Sequence, residues 1–136
     1  MGIKIKAVQH IAIATKESAP LLRTLNEIFE IESDHEEIVA SQKVKTDFLK
    51  IANVPFELLE PTADDSPISR FLEKRGNAFH HLALEVENIE EAVSFLKSRN
   101  IQLINEKPST AAHGMKAVFI HPKSFHGLLI ELIQRA

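Results

Sequence analysis

Lys6 to Ala14 alternates apolar with polar or small residues (Lys6-Ala7-Val8-Gln9-His10-Ile11-Ala12-Ile13-Ala14), the period-two pattern of a half-buried strand. The period then changes. Leu21, Leu22, Leu25, Ile28 and Phe29 recur at helical spacing and predict an amphipathic helix over Glu17 to Phe29. Pro20 falls in its first turn, where a missing N–H costs little. Ile31 to Val39, Val44 to Ile51 and Pro55 to Leu59 read as three further strands. The segment Pro61-Thr62-Ala63-Asp64-Asp65-Ser66-Pro67 breaks the pattern and reads as a linker, with a short helix over Ile68 to Lys74 ahead of Gly76. The order then recurs. A strand over Phe79 to Val86 precedes a helix from the Asn88 cap through Arg99, with Glu91 at the third helical position as reciprocal capping partner. Strands over Gln102 to Glu106, Met115 to His121 and Leu128 to Gln134 complete it.

The recurrence extends to residue identities. Gln9-His10-Ile11-Ala12-Ile13-Ala14 matches His80-His81-Leu82-Ala83-Leu84-Glu85, and His10 to His81 is an offset of 71 residues. The same offset relates Val44-Lys45-Thr46-Asp47-Phe48 to Met115-Lys116-Ala117-Val118-Phe119. Phe56-Glu57-Leu58-Leu59 resembles Ile130-Glu131-Leu132-Ile133 at an offset of 74, the extra residues being taken up by the loop His121 to Gly127. One order in nearly one register indicates duplication. The expected architecture is α+β: two tandem βαβββ modules, about 4–60 and about 79–135, packed as one domain over residues 1–136, since neither half buries both faces of a curved sheet alone.

Alternation also assigns faces. His10, Ala12 and Ala14 share one side of the first strand, with Ile11 and Ile13 turned toward the helix; His81, Ala83 and Glu85 share one side of the fifth. Glu57 and Glu131 sit inside apolar strands, where an unpaired carboxylate is costly. Each module therefore offers one His and one Glu, and a pseudo-twofold would unite His10, Glu57, His81 and Glu131. Two imidazoles and two carboxylates suit one divalent ion of intermediate hardness, such as Co²⁺, Ni²⁺, Mn²⁺ or Zn²⁺. Ala12 and Ala83, being small, are expected to leave open space for a ligand beside the histidines. The remaining histidines read as bland: His35 in an acidic, solvated edge over Glu32 to Glu37, His80 turned away, and His113, His121 and His126 in loops.

Composition narrows the functions. The 136 residues carry 16 Lys and Arg against 19 Asp and Glu, a net charge of −3, which argues against nucleic acid as partner. The absence of cysteine excludes disulfides, thiolate metal sites and cysteine nucleophiles. Apolar stretches fall short of a membrane span and the first residues form no secretory core, so a cytoplasmic location is expected. No phosphate loop, Ser–His–Asp pattern or zinc-protease helix motif is present.

The blocks Val8 to Ala14, Phe56-Glu57-Leu58-Leu59-Glu60-Pro61, Phe79-His80-His81-Leu82-Ala83 and His121-Pro122-Lys123-Ser124 leading into Gly127 to Leu132 resemble the methylmalonyl-CoA epimerase family. That family lies in the vicinal oxygen chelate superfamily, with glyoxalase I, extradiol dioxygenases and antibiotic-resistance proteins. The resemblance implies a curved, metal-centred β-sheet cup of the glyoxalase-like type, in a homodimer. It implies His10, Glu57, His81 and Glu131 as metal ligands and Glu131 as a proton-transfer group. It also implies inversion of C2 in a methylmalonyl-CoA-type thioester through an enolate, with an acyl-CoA as the partner molecule. One departure stands out: where the family carries the Glu of Glu-Gln-Gly or Glu-His-Gly, this chain reads Ser41-Gln42-Lys43. Serine cannot serve as a carboxylate base. The second acid is then unassigned, with Glu36, Glu37 and Asp47 nearby. Lys74, Arg75 and Lys123 are available for phosphates. The alternatives are a glyoxalase I-like lyase acting on a glutathione hemithioacetal, an extradiol dioxygenase, in which Glu57 would crowd an open iron position, and a metal-free small-molecule binding protein of the same fold.

Overall fold

A computed structural model describes residues 2–136. Its strands are β1 (Ile5–Ala14), β2 (Ser33–Val39), β3 (Val44–Ile51), β4 (Val54–Pro61), β5 (Ala78–Val86), β6 (Ser109–Thr110), β7 (Lys116–Ile120) and β8 (Ile130–Gln134); its helices are α1 (Ser18–Phe29), α2 (Pro67–Arg75) and α3 (Ile89–Ser98). The chain divides into two compact units, one of His10–His80 and one of His81–Ala136 with the residues through Gln9.

In the His10–His80 unit the strand order is β2-β3-β4-β1. β1 runs parallel to β4, with Ala12 opposite Glu57 and Ala14 opposite Leu59. β3 lies antiparallel to β4, with Phe48 opposite Glu57, and β2 antiparallel to β3. One face buries Leu49 and Leu58. On the other, Ala12, Ala14, Val44 and Leu59 pack with Ile68 and Leu72 of α2. α2 starts because Pro67 needs no N–H partner there and Ser66 Oγ accepts the Ile68 N–H at 3.2 Å. α1 ends where Glu30 turns left-handed (φ 57°) and its N–H reaches the Asn26 carbonyl at 2.9 Å.

The second unit repeats the wiring, with strand order β5-β8-β7-β6. β5 is parallel to β8, with Ala83 opposite Glu131, and β7 is antiparallel to β8, with Phe119 opposite Glu131. α3 packs Ile89, Ala92, Val93 and Leu96 onto Val118, Ile120, Ile130 and Leu132. Its first turn is closed by Asn88 Oδ1, which accepts the Glu91 N–H at 3.0 Å, and by Gln134 Oε1, which accepts the Ile89 N–H at 2.8 Å.

One predicted strand does not form. Over Gln102 to Glu106 only Leu103 bridges, to Ile120, and the pairing resumes at Ser109 and Thr110. Pro108 lies between, and a residue without an N–H cannot extend a ladder there.

Candidate metal centre

In the His10–His80 unit, His10 and Glu57 project from β1 and β4, and His10 Nδ1 lies 3.0 Å from Glu57 Oε2. In the other unit, His81 and Glu131 project from β5 and β8, and His81 Nε2 lies 3.0 Å from Glu131 Oε1. The two pairs are built alike: a His on one strand, an Ala two residues later, and a Glu directly opposite that Ala on the parallel neighbour. His10 (4% exposed) and Glu131 (5% exposed) are buried. A buried carboxylate paired with an imidazole avoids the cost of an isolated charge, and the two donors together make half of a nitrogen–oxygen ligand set. The donor types therefore fit a divalent ion of intermediate hardness.

Each pair also has a phenylalanine beside it, 71 residues apart in sequence. Phe48 and Phe119 lie directly opposite Glu57 and Glu131 on the antiparallel neighbour. Phe119 meets the His81 ring edge-on at 5.3 Å, a contact that fixes the imidazole. Phe48 stacks with His35 at 4.5 Å, so His35 is held against this face of β2 although it is exposed to solvent. The repeat Val44 to Phe48 and Met115 to Phe119 contained both rings, and the signal for their role was their parity relative to the two Glu residues.

Ala12 and Ala83 do not leave open space. Both are 0% exposed. Ala12 lies in the cluster with Ile68 and Leu72 of α2, and Ala83 with Met115, Ala117 and Ile133. A small residue there admits close packing rather than a ligand.

The acids near Ser41 are separated by strand register. Glu36 lies opposite Asp47, and Asp47 opposite Leu58, on the face away from Glu57. Lys45 reaches Glu36 at 3.7 Å, Asp47 at 3.8 Å and Glu60 at 4.0 Å, forming one charge cluster. Glu60 in turn accepts the Ser18 N–H at 2.6 Å at the start of α1. Glu37 lies opposite Thr46, which is opposite Leu59, so Glu37 shares the face of Glu57. Ser41 sits exposed in a single 3-10 turn, Ala40–Gln42, closed by left-handed Lys43.

The other candidates have local roles. His80 packs edge-on against Phe71 at 4.7 Å, and Arg75 lies over the same ring at 5.8 Å. His121 Nδ1 accepts the Lys123 N–H at 3.0 Å and caps the turn Pro122–Phe125. His126 has a left-handed backbone (φ 58°), as has His113 (φ 61°). Among the described residues no helix is long and apolar enough to cross a membrane.

The glyoxalase/bleomycin resistance protein/dioxygenase superfamily model matches residues 9–119. The mitochondrial methylmalonyl-CoA epimerase of Dictyostelium discoideum is 36% identical over 134 residues, covering 98% of this chain and 81% of that protein. Among solved structures, methylmalonyl-CoA epimerase from Mycobacterium tuberculosis superposes with a TM-score of 0.90 at 27% identity, covering 97% of this chain and 89% of the other. A variant of the Streptomyces coelicolor enzyme, in complex with 2-nitronate-propionyl-CoA, gives 0.90 at 27% identity, covering 98% and 96%. The match over residues 9–119, the identity over nearly the whole chain and the superposition of the fold agree: the chain belongs to the glyoxalase/bleomycin resistance/dioxygenase superfamily and, within it, to the methylmalonyl-CoA epimerase family.

Proposed function

We propose that the protein, as a cytoplasmic homodimer, inverts C2 of a methylmalonyl-CoA-type thioester by proton abstraction beside the carbonyl. The observation that carries this reading is the duplicated His–Glu pair, 3.0 Å in each unit, in a chain of this family. His10, Glu57, His81 and Glu131 would hold one divalent ion, whose charge would stabilise the enolate oxygen as it develops. Glu131 would carry a proton at C2 as well as acting as a ligand. His81, itself held by Phe119, lies 3.0 Å from that carboxylate, which is buried away from water. Support for a second copy comes from α1, whose Ile28 (65% exposed) and Phe29 (66% exposed) leave apolar surface for another chain to cover.

The deciding experiment follows C2 by proton NMR in D₂O with Co²⁺-loaded protein, offering methylmalonyl-CoA and, separately, the methylglyoxal–glutathione hemithioacetal. Deuterium entering C2 with loss of optical activity supports the epimerase. Turnover of the hemithioacetal alone would replace it with the lyase reading. Neither reaction, from a protein that binds no metal, would favour the binding-protein reading.

A further inference from the structure

Inversion at carbon is served by a proton-transfer group for each face of the enolate, and the turn Ser41-Gln42-Lys43, where the resemblance implies a Glu, offers no carboxylate. Three acids are near in sequence, and two are already engaged. Glu36 and Asp47 lie on the face away from Glu57 and share Lys45. Glu37 differs in both respects. The ladder Glu37–Thr46–Leu59 puts it on the face that carries Glu57, two strands away and one two-residue step along. At about 4.8 Å per strand and about 3.3 Å per residue, that is roughly 12 Å between α-carbons along the sheet.

The second observation is the state of the carboxylate. Glu37 Oε2 is buried and has no hydrogen-bond partner among the described residues; Asp47 Oδ2 likewise accepts no hydrogen bond, but it has the Lys45 ammonium at 3.8 Å. A buried carboxylate oxygen without a donor is costly, and such an orphan calls for an explanation in ligand or function. The corresponding strand of the second module, β6, is two residues long, so only the first module extends its sheet far enough to place an acid there.

We infer that Glu37 is the second proton-transfer carboxylate, taking over the task of the acid missing at Ser41. The inference rests on the epimerase reading above. In one direction Glu37 takes the C2 proton, the C–H electron pair passes into the thioester carbonyl to give the enolate, and protonated Glu131 delivers its proton to the opposite face of C2. In the other direction the roles exchange. No oxidant or further reactant is needed, and protons balance.

The test measures deuterium wash-in at C2 from each methylmalonyl-CoA enantiomer separately, with metal-loaded wild type, Glu37→Gln and Glu37→Asp, each checked for folding by thermal melting. Glu37→Gln should slow exchange from one enantiomer by roughly 10²–10⁴-fold, leave the other within about threefold, and slow inversion by the larger factor. Glu37→Asp keeps the charge but withdraws it by one methylene, and should slow the same enantiomer by a smaller factor. Equal slowing of both enantiomers, or of neither, in the folded variants overturns the assignment while the epimerase reading stands. A metal-loaded wild type that exchanges neither enantiomer overturns the epimerase reading, and this assignment with it.

Discussion

If the two His–Glu pairs hold one ion, binding must stabilise the fold, and disabling either pair must abolish that stabilisation equally. A ligand present at 1,000 times its dissociation constant adds about 4.1 kcal/mol. For an ion bound at about 1 μM, that condition is met at about 1 mM metal. Unfolding entropy near 2.1 cal/mol/K per residue gives about 0.29 kcal/mol/K for 136 residues. The melting temperature should therefore rise by about 14 °C on adding Co²⁺. His10→Ala removes the partner 3.0 Å from Glu57, and His81→Ala the partner 3.0 Å from Glu131. If either change weakens binding about 1,000-fold, 1 mM metal only half-fills the protein and contributes about 0.4 kcal/mol, a rise of about 1.4 °C. The assay is differential scanning calorimetry of each protein with EDTA and with Co²⁺, read as the metal-induced difference. In this way changes in the metal-free baseline cancel. A wild-type rise that survives in one His→Ala variant and vanishes in the other would show that a single pair binds the ion alone, and the shared centre would be wrong.

Three further expectations follow from the packing and the register. Leu58→Ala opens a void at a fully buried position beside Leu49 and should cost about 2–5 kcal/mol, measured by urea unfolding; a loss below about 1 kcal/mol would mean the sheet face closes over it. Asn88→Ala removes the acceptor of the Glu91 N–H and should cost about 1 kcal/mol in the same assay, with no change in C2 exchange. Ser41→Glu should alter epimerisation by less than about threefold, because the second acid is already present; a rise of tenfold or more would show that it was missing.

Much of this fold was legible because the chain writes it twice. The alternation of β1 placed His10, Ala12 and Ala14 on one side, and that side is where the structure buries them. Asn88 announced the start of α3 by side-chain chemistry alone, whereas Ser66, which caps α2, read only as part of the linker. The failures have local causes. The segment Gln102 to Glu106 has strand-like residues but feeds into Pro108, so its ladder is a single bridge at Leu103, with the Gln102 N–H held by Ser124 Oγ instead of a strand. Ala12 looked like room for a ligand because alternation shows how large a side chain is but not what lies above it. What lies there is α2, which belongs to neither repeat and so had no counterpart to betray its position.

The choice among Glu36, Glu37 and Asp47 was beyond sequence for a sharper reason. β2 pairs with β3 through a register shift between Ser33 and His35. A bulge of one residue exchanges the two faces of everything after it, so period-two reasoning from the start of the strand assigns its acids to the wrong sides. Only the pairing itself, Glu37 with Thr46 and Glu36 with Asp47, resolves them. The same comparison separates what duplication preserved from what it released. Both modules keep the His, the Ala, the Glu opposite that Ala and the Phe opposite that Glu. They part company at the outer strand, seven residues in β2 against two in β6. A substrate with a reacting carbon is not symmetric. The longer β2 carries Glu37, so the asymmetry falls on the strand to which the second proton-transfer acid is assigned.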